Sequence, residues 1–319
     1  MDNEQSTENI DILPFPTYYD RIFGIIGVGR GGIKAVNNMY CKPFQKIFFM
    51  VCDTDAEILR CSPVESKIRL TCNKLEDTVG TKRALSFKTK AQISNCFNGF
   101  KMVLIVAGMG GEIGDDLLPE MTRLIRDMNI LTVCVVSVPF YFEGDAKVAH
   151  ARRNIAVLKK CADSIFVVEN ELLKKLHPDL KLSSAFELSH ATLYDISDSI
   201  FSALLEPSYL NFDFPEIYYM LNNTTEATIG FGVADGDNRV MAAIEDAYKC
   251  PLFNSAIFNK AKRYFIMIRT SYEHQFVKEE LKAFNSFIEG SKEDVFFWQN
   301  CIDNTLNTKL KVDVWVTVH

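Results

Sequence analysis

The chain has 319 residues, 48% of them hydrophobic and 24% charged, with a formal net charge of -6. That balance suits one large or two ordinary globular domains with a sizeable buried core, and its acidity argues against a nucleic-acid partner, which calls for a basic face. Nine cysteines fall at irregular spacing with no C-x-x-C pair, a pattern of a reducing cytoplasm rather than of a zinc site or disulfide framework. Met1 to Pro16 is polar and acidic and lacks the basic-then-apolar order of a signal peptide. The longest apolar run, Ile130 to Phe142, contains Pro139 and is too short to cross a bilayer.

In chain order, Ile22–Ile26, Ile47–Val51, Met102–Val106, Leu131–Val138 and Ser164–Val168 are rich in Ile, Val and Phe. Continuous apolar runs of this length suit parallel strands covered on both faces. Leu117, Leu118, Met121, Leu124, Ile125 and Met128 mark one helical stripe between two of them. Alternating strands and helices predict an α/β fold with a doubly wound parallel sheet. Ser183–Leu205 is a long helical stripe stopped by Pro207. Beyond it, Thr228–Ala234 and Tyr264–Arg269 read as strands, and Asn238–Tyr248 and Gln275–Ile288 as helices. Leu310, Val312, Val314, Val316 and Val318 alternate with Lys311, Asp313, Trp315 and Thr317, the pattern of a half-buried antiparallel strand. The chain thus divides into a flexible N-terminal segment (1–18), a nucleotide-binding-type α/β domain (19–182), a long central helix (183–206) and a smaller α+β C-terminal domain (207–319).

Two glycine loops carry the chemistry. Gly27-Val-Gly29-Arg30-Gly31-Gly32 follows a strand and opens a helix over Ile33–Tyr40. Glycines there let backbone N–H groups and a helix N-terminus approach a phosphate. With Asp53 about 20 residues on, this loop alone would fit an NAD(P)-dependent oxidoreductase. It also fits a tight turn that binds nothing. The second loop, Ala107-Gly108-Met109-Gly110-Gly111-Glu112-Ile113-Gly114, has no place in a dinucleotide fold.

From this loop on, the chain resembles the FtsZ/tubulin superfamily. FtsZ carries A-G-M-G-G-G-T-G-T-G here, then a proline-containing helix and a strand ending in K-P-F-x-F-E-G. This chain has Ala107–Gly114, Pro119 and then Val138-Pro-Phe-Tyr-Phe-Glu143-Gly144. Further similar blocks are Asp53-Thr-Asp55-Ala56, Glu169-Asn170-Glu171-Leu-Leu173, Ala185-Phe186, Asn211-Phe-Asp213-Phe-Pro-Glu216, Gly230–Arg239 and Cys250-Pro-Leu252. They cover about Ile22 to Leu252 in the family's order.

The resemblance implies a cytoskeletal protein of the cell-division type, filament-forming or filament-modifying, with a GTP/GDP site and Mg²⁺. Gly29, Arg30, Gly31, Gly32 and Lys34 would lie by the phosphates, with Gly110, Gly111 and Gly114 as a second cradle. Glu143 would bind ribose, with Lys147 at the place of the ribose-side arginine. Asn170 would read the guanine edge, Phe186 would stack on the base, and His190 stands where the family places its second guanine reader. Asn211, Asp213 and Glu216 would reach the nucleotide of the next subunit, itself or another FtsZ-like chain, in a head-to-tail filament, where carboxylates orient a water. The chain stops at His319, without the family's spacer and adaptor peptide, so no direct membrane anchor is expected.

The departures fall in the second loop. Both family threonines are replaced, and Glu112, Asp115 and Asp116 enter. A carboxylate about 4 Å from a phosphate charge, at an effective dielectric near 20, costs about 4 kcal/mol. Three arrangements are open. A Mg²⁺ bridges the acids to phosphate, the acids pair with Arg30 and Lys34 in place of phosphate, or they turn away and serve the helix N-terminus. The stretch Leu75–Arg83 reads as a shortened loop without the family's A-N-P-E. The sequence therefore leaves a degenerate GTPase-type filament protein and a nucleotide-free pseudo-GTPase partner both standing.

Overall fold

The computed structural model describes residues 22–42, 46–77, 80–176, 181–206, 213–290 and 295–318. The expected segment 1–18, Pro207 and Asn211 lie outside the described residues. The first part runs β1 (Phe23–Val28), α1 (Gly29–Tyr40), β2 (Ile47–Asp53), α2 (Ala56–Arg60), β3 (Ser66–Arg69), β4 (Cys72–Asp77), β5 (Gly80–Leu85), α3 (Phe87–Phe97) and β6 (Met102–Gly108). After a π-helical turn at Ile113–Leu117 come α4 (Leu118–Arg126), β7 (Leu131–Val138), α5 (Asp145–Leu158), β8 (Ser164–Glu169), α6 (Asn170–Leu176) and α7 (Leu182–Leu205). The remainder is α8 (Phe214–Leu221), β9 (Glu226–Ala234), α9 (Arg239–Lys249), α10 (Ser255–Phe258), β10 (Arg263–Thr270), α11 (Lys278–Gly290), β11 (Val295–Ile302) and β12 (Leu310–Val318).

One ten-stranded sheet runs in the order β11-β10-β12-β9-β8-β7-β6-β1-β2-β3. From β3 to β8 every pairing is parallel, which matches the doubly wound expectation. Successive residues of each strand enter opposite layers. Ile25, Phe49, Leu104 and Val133 pack in the layer that holds Val36 of α1 and Ile196 and Ile200 of α7. Ile26, Met50, Ile105 and Cys134 pack against Ile93, Met121 and Ile155 of α3, α4 and α5. Burial on both faces is why the strands read as unbroken apolar runs. Where the sheet turns mixed, β8 meets β9 at one register pair, Phe166 with Ala227.

Two expectations need correcting. The stretch around Leu75–Arg83, read as a loop, is folded: β4 and β5 form an antiparallel hairpin with Cys72 opposite Leu85. Glu120 of α4 fastens it, accepting the Leu85 N–H at 2.6 Å and meeting Lys90 Nζ at 2.6 Å. The final strand is not half-buried either. β12 lies between β9 and β10, and its polar face is enclosed, with Asp313, Trp315 and Thr317 buried. The reason is α7, whose Ser199 donates to Asp313 Oδ2 at 2.6 Å and accepts from Trp315 Nε1 at 3.0 Å. β11, which the sequence reading passed over, closes one end of the sheet and pairs in parallel with β10. Among the described residues, no helix is long and apolar enough to cross a membrane.

Candidate functional site

A cavity of about 710 Å³ opens over the C-terminal ends of β1, β2, β6, β7 and β8. That is where open α/β sheets place ligands, and the volume suits a nucleotide-sized molecule. Of the residues singled out from the sequence, Gly29, Arg30, Gly31, Lys34, Gly111, Gly114, Glu143, Lys147, Asn170, Phe186 and His190 line it. Gly32 and Gly110 do not. Gly32 lets α1 lie on β6, since a Cβ there would come 2.0 Å from the Val106 carbonyl oxygen. Gly110 makes a turn at φ +86°. Thr54, Met109, Ser137, Pro139, Glu187 and Ser189 also line the cavity. Ser137 and Pro139 were findable from their place at the end of an apolar strand run.

At one end of the cavity the two glycine loops approach closely. A Cβ on Gly31 would stand 3.7 Å from the Gly108 Cα, and one on Gly114 would strike the Gly108 carbonyl oxygen at 2.4 Å. Only glycine permits the second of these, while the first is ordinary van der Waals contact. Arg30 and Lys34 are exposed on the wall. The acids do not pair with them, contrary to one of the expected arrangements. Glu112 Oε2 meets Arg83 Nη1 of the hairpin at 2.7 Å. Asp115 is 2% exposed, accepts the Gly110 N–H at 3.0 Å and meets His150 Nδ1 of α5 at 2.6 Å. Glu112 lines the cavity, whereas Asp115 and Asp116 do not.

The other end is aromatic. Phe186 is 39% exposed and stands edge-on to Phe140 and Phe142, each centroid 5.9 Å away. Phe140 and Phe142 stack at 4.9 Å, with Lys174 Nζ 5.2 Å from the Phe142 centroid. The buried Asn170 opens α6, and its Oδ1 accepts from Ser189 Oγ at 2.7 Å. Glu143 accepts the Phe140 N–H at 3.0 Å and binds Lys147 Nζ at 2.5 Å. Burial, with Lys34 adding, pushes the His190 imidazole down to about 4, so it is neutral at pH 7.

That shift has a sign. An unfolded histidine titrates near 6.5, so the unfolded chain binds more protons from there down to about 4, and stability falls as pH drops through this window. His190→Asn is expected to show a smaller loss of Tm between pH 7 and pH 5 than the unaltered chain. Equal losses would mean that His190 contributes no differential proton uptake.

The remaining residues lie elsewhere. Asp213 and Glu216 stand at the start of α8, with the Asp213 N–H donating to Glu216 Oε2 at 2.9 Å, and neither lines the cavity. Asp53, on which the oxidoreductase alternative leaned, is buried at the end of β2 and accepts the Asp55 N–H at 2.8 Å. It does not line the cavity.

Comparison with known proteins agrees with this architecture. The Tubulin/FtsZ family GTPase domain matches residues 23–178. The cell division protein FtsZ of Porphyromonas gingivalis is 31% identical over 304 residues, covering 92% of this chain and 66% of that protein. The chain belongs to the FtsZ/tubulin superfamily. FtsZ of Magnetospirillum gryphiswaldense is 29% identical over 299 residues, covering 92% of this chain. The chain spans 66% of the Porphyromonas protein's length and 53% of the Magnetospirillum protein's. In three dimensions, an FtsZ mutant from M. jannaschii superposes with a TM-score of 0.80 at 22% identity, covering 92% of this chain and 90% of the other.

Proposed function

We propose that this FtsZ-superfamily chain is a cytoplasmic filament subunit whose cavity binds a guanine nucleotide across the two glycine loops. The observation that carries this reading is the direction of the loop acids. Asp115, held by His150, and Asp116 stand off the cavity, and Glu112, which does line it, has its charge met by Arg83, so the repulsion expected from their sequence positions is reduced. Arg30 and Lys34 then supply the cationic charge. Phe186 offers a ring face for the base, and Asn170, its carbonyl held by Ser189, presents its amide to the base edge. Among the described residues, no group of three or more His, Cys, Asp or Glu is placed to hold a metal, so a Mg²⁺ would enter with the phosphates.

Asp213 and Glu216, away from their own cavity, would complete the site of the next copy in a head-to-tail filament by orienting a water. Losing both threonine hydroxyls from the second loop lowers the number of donors to phosphate, so turnover is slow in this reading. The test is equilibrium binding of GTP with Mg²⁺, alongside phosphate release and sedimentation. Saturable binding with nucleotide-dependent pelleting is the expected result. Pelleting without any guanine-nucleotide binding would replace this reading with the pseudo-GTPase one.

A further inference from the structure

The back of the second glycine loop holds an arrangement that ligand contact does not explain. The Asp115 side chain is wholly enclosed, while that of His150 is half exposed. Asp115 Oδ1 accepts the Gly110 N–H at 3.0 Å, and Oδ2 lies 2.6 Å from His150 Nδ1. A carboxylate only accepts, so Nδ1 is the donor. The Gly110 turn is wedged: a Cβ there would come 2.6 Å from Pro139 Cγ and 2.9 Å from Lys147 Cγ. The loop therefore has two sides. Gly108, Met109, Gly111, Glu112, Ile113 and Gly114 face the cavity. The Gly110 N–H faces inward to Asp115.

An enclosed carboxylate persists only with partners. Here they are the Gly110 N–H, His150 and the first turn of the helical stretch that Asp115 occupies. His150 comes from α5, outside the loop. Taking it away would leave an acid that must draw in water or swing out, and the Gly110 turn would go with it.

We propose that Asp115 and His150 form the positioning device of the phosphate cradle: His150 holds Asp115, Asp115 holds the Gly110 turn, and the turn aims the cavity-facing N–H groups at a polyphosphate. Neither residue touches the ligand. The proposal rests on the nucleotide reading for its ligand; the mechanical link from His150 to Gly110 stands by itself.

Two measurements on the full chain test it: hydrogen exchange over residues 108–116 without nucleotide, and affinity for GTP. His150→Ala is expected to speed exchange there and to weaken GTP binding about tenfold, the loss when one charge-assisted hydrogen bond stops holding a binding element. His150→Gln, whose amide can donate to the same oxygen, is expected to restore both readouts. Unaltered exchange and affinity in His150→Ala would overturn the proposal, as would a His150→Gln variant as impaired as the alanine one. Should the unaltered chain bind no GTP, the nucleotide reading alone fails. The exchange arm still decides, faster exchange in His150→Ala supporting the link and equal exchange overturning it.

Discussion

Arg269→Met is expected to lower the unfolding free energy by about 3–5 kcal/mol, the loss typical of stranding one member of a buried ion pair. Arg269 is 3% exposed, and its Nη1 lies 2.9 Å from Oδ2 of the fully enclosed Asp313. The same carboxylate takes the Ser199 hydroxyl of α7, which in turn accepts from Trp315. Lys311 Nζ, 3.7 Å from Asp313 Oδ1, is too distant to replace the guanidinium. Phe265, Met267 and Trp315 are buried around this pair, and Glu206, Asp198 and Asp195 also act on it electrostatically. Removing Arg269 alone leaves the enclosed Asp313 carboxylate without its guanidinium; removing both does not. Arg269→Met/Asp313→Leu is therefore expected to recover most of the loss, and denaturant unfolding of the single and double variants measures the coupling. A double variant no more stable than the single one would mean that the hydrogen bonds to Ser199, rather than the charge pair, set the cost.

Asp213→Asn is expected to bind GTP as the unaltered chain does and to release phosphate about 10²–10⁴ times more slowly, the usual share of a positioned general base. The substitution keeps size and shape at the N-cap of α8 and removes only the charge. Asp213 does not line its own cavity, and in the proposed head-to-tail reading its effect on turnover passes through a neighbouring copy. Mixing the variant with unaltered chain should give intermediate turnover that depends on the proportion of each. Weakened GTP binding by the isolated variant would contradict this placement, and undiminished phosphate release would remove the neighbour's role.

Much of the sheet was legible because two-sided burial writes itself as unbroken apolar runs. Leu131–Val138 was read to the residue, and Met102–Val106 fell short only by the two residues that lead into the second glycine loop. The loops were legible because glycine is required where backbones nearly touch. What failed depended on partners far along the chain. Trp315 and Asp313 were read as a solvent face because nothing local says that α7, more than a hundred residues earlier, lies over them. Asp115 was ambiguous for the same reason, since its direction is set by His150, thirty-five residues on. The β4–β5 hairpin was missed because its strands carry no clean alternation. Its docking depends on Glu120 and on the Arg83–Glu112 pair, neither of which has a local signature.

The end of the sheet at β11 carries a colloidal consequence. Its sequence, Val-Phe-Phe-Trp-Gln-Asn-Cys-Ile, has no charge and no proline, and among the described residues it pairs on one side only. Val295, Phe296, Phe297 and Trp298 are only partly covered. An open, aromatic strand edge is a template on which further strands can add. In the sequence, Lys292-Glu293-Asp294 comes just before it and Asp303 just after, the type of charged flank that slows such growth. Concentrated stocks should therefore precipitate through this edge before the parallel part of the sheet loses its own packing.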